Sequence, residues 1–215
     1  KIIELAIAFK KGAKIPDLSG KMLTLIFANP SLRTHLSFEA GMKKMKGSVN
    51  VLHTGNSWQF EHKDGVVMDG NKQEHIKEAA QVISRYSDVI ALRQSELITT
   101  ASQHGTTSTW GALKQDQAVN QLATYADKPV INMESNMFHP CQAMADVMTI
   151  KETLGNVKKK KYVLTWVPHP KALPLATPHS QLLTPVLFGI DVNIVYPEGL
   201  DLDEDVLKLS QEKAA

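Results

Sequence analysis

The sequence predicts an α/β fold in which a parallel sheet is covered by helices on both faces. Short apolar segments alternate along the chain with longer segments whose apolar residues recur every three or four positions, the spacing of one helical face. The short segments are mostly apolar, which is typical of strands buried on both faces of a parallel sheet.

The first half of the chain contains three strand and helix units. The elements that we predict there are an amphipathic helix over 1–11, strand 22–28, a helix to Met45, strand 49–53, helix 72–86 and strand 88–92. Asn29 and Pro30 directly follow the first strand and favour a helix start, with Asn29 as its cap. Residues 94–112 are rich in Ser, Thr, Gln and Gly, which predicts a long mobile loop.

The second half repeats the same rhythm. The predicted elements are helix 115–125, strand 129–133, helix 142–154, strand 162–167, helix 176–188 and strand 191–196. Gly155 is a typical helix end, and Pro197 ends the last strand. We interpret the four lysines at 158–161 as a solvated turn rather than a nucleic-acid patch.

Composition excludes several classes of function. Lys and Arg number 24 against 22 Asp and Glu, so a formal charge of +2 provides no broad field for nucleic acid or an acidic membrane. The apolar stretches are far shorter than the roughly 20 residues of a membrane-spanning helix. A single cysteine, Cys141, excludes an internal disulfide and suits a cytoplasmic protein. No nucleotide cofactor is predicted, because glycine-rich nucleotide motifs are missing, and the sequence shows no metal requirement.

The strongest chemical signal is the segment 27–34, which reads Phe-Ala-Asn-Pro-Ser-Leu-Arg-Thr. A helix that begins there would present backbone N–H groups and the positive end of its dipole to an anion. Ser31 and Thr34 add hydroxyl donors, and Arg33 adds a guanidinium that suits phosphate oxygens. An ordinary capped helix with a surface arginine remains the alternative from this segment alone.

Five motifs in one order carry a family resemblance. They are Asn-Pro-Ser-Leu-Arg-Thr at 29–34, Ser-Phe-Glu at 37–39, Met-Asp-Gly at 68–70, Leu-Arg at 92–93 and His-Pro-Cys-Gln at 139–142. The chain thereby resembles the aspartate and ornithine carbamoyltransferases. The resemblance implies two doubly wound parallel-sheet domains, the second truncated: 1–155 would bind carbamoyl phosphate and 156–215 would begin the domain that binds the amine acceptor. It also implies a homotrimer with active sites shared between subunits.

The same resemblance implies roles for single residues. The phosphate would be bound by four consecutive residues: Ser31, Leu32 through its backbone N–H, Arg33 and Thr34. Arg93 and His139, with Thr34, would hydrogen-bond the carbamoyl oxygen, and Gln142 would orient the carbamoyl nitrogen. Fixed donors at that oxygen lower the barrier, because negative charge grows there during attack by the amine. Cys141 is interpreted as a packed neighbour rather than a catalyst.

Two segments indicate the acceptor. Residues 58–70 and 166–174 resemble the branch that carbamoylates N-acylated ornithine in arginine biosynthesis, and 166–174 is closer to the N-succinylornithine enzymes. In that branch a tryptophan at the position of Trp58 reaches the carbamoyl phosphate of a neighbouring subunit. The candidate acceptor residues are Glu134, His169 and Lys171. The residue that helps to select the acyl group is Gln73 here, which matches neither expected version, so succinyl and acetyl both stay open.

Departures and alternatives complete the interpretation. The family commonly has Arg where this chain has His35, and the chain ends before the last acceptor motif, so we expect carbamoyl phosphate binding at best, without turnover. Within the family, ornithine or aspartate is the alternative acceptor. From other classes, the alternatives are a non-catalytic module that binds a phosphorylated ligand and a nucleotide-dependent oxidoreductase, which the missing glycine motif disfavours.

Overall fold

The computed structural model describes residues 1–54, 58–95, 109–168 and 174–214. Its helices are α1 Ile2–Lys10, α2 Arg33–Lys44, α3 Ile76–Arg85, α4 Trp110–Leu113, α5 Gln117–Tyr125, α6 Pro140–Leu154, α7 Ala176–Leu187 and α8 Glu204–Ala214. Its strands are β1 Met22–Phe27, β2 Ser48–His53, β3 Phe60–Glu61, β4 Glu74–His75, β5 Val89–Arg93, β6 Val130–Glu134, β7 Lys161–Thr165 and β8 Asp191–Val195. The predicted α/β fold with parallel sheets is confirmed.

The chain forms two compact units. The four-stranded unit consists of Lys14–Ser95 and Asp116–Ser135, and the two-stranded unit contains α1, α4, α6, α7, α8, β7 and β8. By their contacts α1 and α6 belong to the two-stranded unit, whereas we predicted them in the first domain. This grouping by contacts does not test the functional domains, so their division into 1–155 and 156–215 stays a prediction.

The four-stranded unit has a sheet of the order β2-β1-β5-β6, and all its strand pairs are parallel. The chain passes from β1 outward to β2 and then crosses back to β5 on the other side of β1. The connections that leave the carboxyl ends of β1 and β5 therefore run in opposite directions. Open α/β sheets bind ligands at the carboxyl ends of two strands whose connections diverge in this way.

Helices cover both faces of this sheet, as the apolar strands predict. On one face the core is built by α3 and α5 against alternate strand residues; its members include Ile26, Ile76, Ala80, Ile90 and Leu122. On the other face the residues of β1 with the opposite parity pack with α2; this core includes Leu23, Leu25, Phe27, Met42 and Met133. The side-chain period of two in β1 thus divides the core into two layers.

The two-stranded unit pairs β7 with β8 in parallel. Its core joins these strands to α4, α7 and α8, and includes Trp110, Leu164, Leu182, Leu202 and Val206. The helix α6 ends at Gly155, whose φ of 68° is the left-handed conformation that glycine adopts without strain. The helix end predicted at this residue is confirmed.

Some local predictions were wrong. Asn29 does not cap α2, because the helix begins at Arg33 with Leu32 as its N-cap and without a side-chain cap. Pro30 accordingly lies before the helix rather than in its first turn. Three short elements, α4, β3 and β4, and the helix α8 were not predicted, while residues 96–108 of the predicted loop lie outside the described residues. In the described part of the chain, no helix combines the length and apolarity needed to cross a membrane.

Candidate functional site

The carboxyl ends of β1 and β5 lie side by side in the four-stranded unit. Phe27 at the end of β1 is the register partner of Arg93 at the end of β5, and the Ala28 N–H donates to the Arg93 carbonyl at 3.0 Å. The Asn29 side chain extends this connection, because its Oδ1 accepts a hydrogen bond from the Ser95 N–H at 2.8 Å. The segment between β1 and α2 is therefore fixed against the end of β5.

The first turn of α2 presents donors at this edge of the sheet. The intrahelical ladder begins where the Leu36 N–H donates to the Leu32 carbonyl at 3.1 Å, so the preceding N–H groups have no acceptor within the helix. Arg33 and Leu32 are exposed, whereas Ser31 and Thr34 are partly exposed. The four residues predicted to bind the phosphate, 31–34, thus lie at the N-terminal end of α2. This end, called the mouth of α2 below, carries a partial positive charge that favours an anion.

Arg93 is held by a buried carboxylate. Its Nη1 forms an ion pair with Oε2 of Glu134, which ends the neighbouring strand β6 and whose side chain is 1% exposed. The Gln94 N–H also donates to the Glu134 carbonyl at 2.9 Å. Burial raises the pKa of Glu134, and the adjacent guanidinium opposes that rise. Glu134 was predicted as an acceptor residue, and the structure adds that it binds Arg93.

His139 and Gln142 lie together at the start of α6 in the two-stranded unit. His139 is the N-cap, and its Nδ1 accepts a long hydrogen bond of 3.4 Å from the Gln142 N–H. In a neutral ring the hydrogen is then on Nε2, which leaves that atom as a donor. The Gln142 amide donates from Nε2 to Oδ1 of Asp146 at 2.8 Å, and Asp146 also accepts from Gln181.

Trp58 is half exposed, with 51% of its surface accessible, although its indole N–H donates to Glu74 at 3.0 Å. Beside it, the Gln73 Oε1 accepts from the Gln59 N–H at 2.8 Å. Because the contact with Glu74 lies at the surface, Trp58 can exchange it for another partner at small cost.

A cavity of about 180 Å³ lies beside Ala28 and Gln94, just beyond the carboxyl ends of β1 and β5. Among the residues that line it are Thr54, His62, Lys72 and Gln94. Burial, followed by the positive charge of Lys72, lowers the pKa of His62 to about 4. Among the described residues, the Nδ1 of His62 has no hydrogen-bond partner. His62 is therefore uncharged at neutral pH.

Two predicted acceptor residues, His169 and Lys171, lie outside the described residues. From the same motif, the Trp166 indole donates to the Leu200 carbonyl at 3.0 Å and stacks on Tyr196 at 4.5 Å between ring centroids. Across the described ranges, no group of three or more His, Cys, Asp and Glu residues is arranged to hold a metal ion.

Known proteins resemble the chain along most of its length. The family model described as "Aspartate/ornithine carbamoyltransferase, carbamoyl-P binding domain" matches residues 1–152. The N-acetylornithine carbamoyltransferase of Xanthomonas campestris pv. campestris is 38% identical over 91% of this chain and 56% of its own length. The N-succinylornithine carbamoyltransferase of Bacteroides thetaiotaomicron is 36% identical over 85% of this chain and 54% of its own length.

Solved structures agree with these relatives. A crystal structure of acetylornithine transcarbamylase complexed with acetylcitrulline superposes with a TM-score of 0.89 and 36% identity, covering 99% of this chain and 62% of that one. The chain thus spans less than two thirds of the length of these relatives. Because the family model matches well over half of the 215 residues, the resemblance predicted from five motifs is confirmed: the chain belongs to the aspartate/ornithine carbamoyltransferase family.

Proposed function

We propose that the polypeptide carrying this sequence transfers the carbamoyl group of carbamoyl phosphate to the side-chain amine of an N-acylornithine. The observation that carries the proposal is the reversal of strand order between β1 and β5, with the mouth of α2 and Arg93 at adjoining strand ends. A small phosphorylated ligand is the ligand class for which this combination of helix mouth, hydroxyls and guanidinium groups is suited.

In the proposed reaction the neutral amine of the acceptor attacks the carbonyl carbon of carbamoyl phosphate. A C–N bond forms, the bond from carbon to the phosphate oxygen breaks, and the proton that the amine loses is taken up by the departing phosphate. Negative charge grows on the carbonyl oxygen and on the leaving phosphate. We propose that the charge on the carbonyl oxygen is stabilised by Arg93, Thr34 and the Nε2–H of His139. The charge on the leaving phosphate is stabilised by Ser31, the backbone N–H of Leu32, and Arg33.

Gln142 is proposed to orient the carbamoyl nitrogen through its side-chain carbonyl, with its amide group fixed by Asp146. No nucleophilic side chain and no cofactor are required, because positioning two substrates and stabilising charge supply the catalysis. Cys141 is given no role in the reaction. Glu134, His169 and Lys171 remain the proposed acceptor residues.

The oligomeric state, the pathway and the cellular compartment are part of the same proposal. We infer a homotrimer in which Trp58 completes the site of a neighbouring subunit, and its exposure supports this role. The reaction would serve arginine biosynthesis in the cytoplasm. Ornithine is the second candidate acceptor, because the ornithine carbamoyltransferase of Methanobrevibacter smithii is 33% identical over 99% of the chain and 59% of its own length.

The test is a carbamoyl-transfer assay on the longest natural polypeptide that contains these residues. Carbamoyl phosphate is supplied with N-succinylornithine, N-acetylornithine, ornithine or aspartate, and the ureido product is measured. We expect transfer to at least one acylated ornithine, and the faster of the two identifies the acyl group. Transfer to ornithine or aspartate alone would refute the acyl-ornithine proposal, and no transfer to any acceptor would refute the activity.

A further inference from the structure

Two consecutive residues of α7 hold the segment in front of α6. The Ser180 hydroxyl accepts a hydrogen bond from the backbone N–H of His139 at 2.7 Å. The Nδ1 of His179 lies 3.1 Å from the carbonyl oxygen of Met137. His179 and Ser180 are 0% and 1% exposed, so water does not compete for either contact. One helix thus fixes the backbone on both sides of Phe138.

The second ring nitrogen of His179 determines its tautomer. The Nε2 accepts a hydrogen bond from the backbone N–H of Asp203 at 3.1 Å. Because a carbonyl only accepts and a backbone N–H only donates, these two contacts require a neutral ring with its hydrogen on Nδ1. Burial lowers the pKa of His179 to about 4, so the ring is neutral at pH 7. The ring therefore links Met137 to the start of α8.

Aromatic packing keeps this ring in place. The rings of Trp110 and Phe138 lie 5.9 and 6.4 Å from the His179 ring between centroids. The Trp110 indole also donates to Oδ2 of Asp203 at 2.7 Å. Since the surroundings are packed and buried, the contact of His179 with the Met137 carbonyl has little freedom to shift.

The orientation of His139 depends on the backbone held in this way. His139 has φ −119° and ψ 75°, outside the helix, and Pro140 follows it at the first helical position. The ring position depends on that backbone, and its Nδ1 accepts the long hydrogen bond from the Gln142 N–H. A misplacement of about 1 Å at a reacting centre can reduce a rate by about 100-fold, so the geometry at residue 139 matters for a donor.

We propose that His179 and Ser180 are positioning residues for carbamoyl transfer: they hold the backbone of residues 137–139 so that the Nε2–H of His139 points at the carbamoyl oxygen. The proposal rests on the proposed function, because it takes His139 as a donor to substrate. Both side chains act through His139 and are assigned no contact with either substrate.

The first test compares two serine variants in the longest natural polypeptide that contains these residues. Ser180→Ala removes only the acceptor of the His139 N–H. Ser210→Ala is the matched control, because Ser210 is 4% exposed on α8 and its hydroxyl has no partner among the described residues. We expect Ser180→Ala to lower kcat by about tenfold or more, with the KM for the acceptor changed less than about threefold, and Ser210→Ala to keep both. Equal kcat values for the two variants would overturn the proposal.

The second test uses His179 and a readout that needs no activity. His179→Asn can still donate to the Met137 carbonyl, whereas His179→Phe cannot, so Asn is expected to retain several-fold more kcat than Phe at equal melting temperature. Ring ¹⁵N chemical shifts report the His139 environment directly. We expect the His139 signals to move in Ser180→Ala and not in Ser210→Ala. Unmoved signals would overturn the positioning role, whereas a wild-type protein without transferase activity would overturn only the proposed function.

Discussion

Arg93 and Glu134 form a buried ion pair at the carboxyl ends of the neighbouring strands β5 and β6. The Glu134 side chain is 1% exposed and that of Arg93 is 17% exposed, so the guanidinium has lost most of its water. A desolvated cation needs a fixed counter-charge, and Glu134 supplies one from an adjacent strand. The pair therefore fixes the guanidinium beside the end of β1, where the proposed phosphate site lies.

Glu134→Ala is predicted to destabilise the protein, because it leaves the partly buried Arg93 without this counter-charge. Loss of one partner of a buried ion pair costs about 3–5 kcal/mol of unfolding free energy. Urea denaturation would measure this loss. Glu39→Ala is the control, since Glu39 is 33% exposed and pairs with Lys43 at the surface of α2, where loss of an ion pair changes stability much less. Similar losses for the two variants would show that Arg93 does not depend on Glu134.

Stability is predicted to fall in acid because of His179. Burial lowers its pKa from 6.5 to about 4 in the folded protein, so the unfolded chain binds more protons between these values. The contribution of His179 is therefore complete above about pH 6.5 and is lost progressively toward pH 4, by up to roughly 3 kcal/mol. Melting temperatures of the wild type and His179→Asn should converge as the pH falls. A constant difference from pH 7 to pH 4 would contradict this assignment.

Asn29→Ala is predicted to loosen the segment that leads into α2. Ser95 is 6% exposed, so loss of the Asn29 Oδ1 leaves its buried N–H without that acceptor and costs about 1–3 kcal/mol. Carbamoyl phosphate affinity, measured by calorimetric titration, should weaken along with stability. Asn156→Ala removes a comparable bond to Lys158 in an exposed turn and should affect neither quantity. Equal behaviour of the two variants would show that Asn29 does not fix the segment.

A shared active site is predicted to show complementation between subunits. Arg33→Ala and Trp58→Ala should each be inactive or nearly so when produced alone. When they are produced together, some sites of a mixed trimer receive Arg33 from one subunit and Trp58 from its neighbour, so transfer should reappear. Light scattering should give a trimer in each case. Mixed oligomers without recovered activity would place Trp58 outside a shared site.

Most of the longer helices and strands could be predicted from the sequence because each depends on a local pattern. The strand predicted at 22–28 is a mostly apolar run, and the helix predicted at 142–154 ends at a glycine. The start of α2 was predicted too early, because Asn29 and Pro30 are residue types that suit a helix start when only the local sequence is considered. The choice is made by a tertiary contact, in which the Asn29 side chain accepts from the Ser95 N–H two residues beyond the end of β5.

Apart from His169 and Lys171, the structure describes the site residues named by motif, but the side-chain partners of these residues could not be predicted from the sequence. The pairing of Arg93 with Glu134 depends on strand register, and the contact of Ser180 with His139 depends on helix packing. One signal for the second was present in the sequence. His179 and Ser180 are polar residues next to each other in an otherwise largely apolar helix, and buried polar groups have specific partners.

The most direct test of the central claim is the kcat/KM for carbamoyl phosphate of Arg33→Ala, since the mouth of α2 is the proposed phosphate site. Arg85→Ala, an exposed arginine at the end of α3, is the matched control. Arg33→Ala removes a charge-assisted contact with the phosphate and the stabilisation of the charge that grows on it in the transition state. We therefore expect kcat/KM to fall by about 100-fold or more, with an unchanged melting temperature. The control should keep the wild-type value. Wild-type kcat/KM in Arg33→Ala would contradict the account.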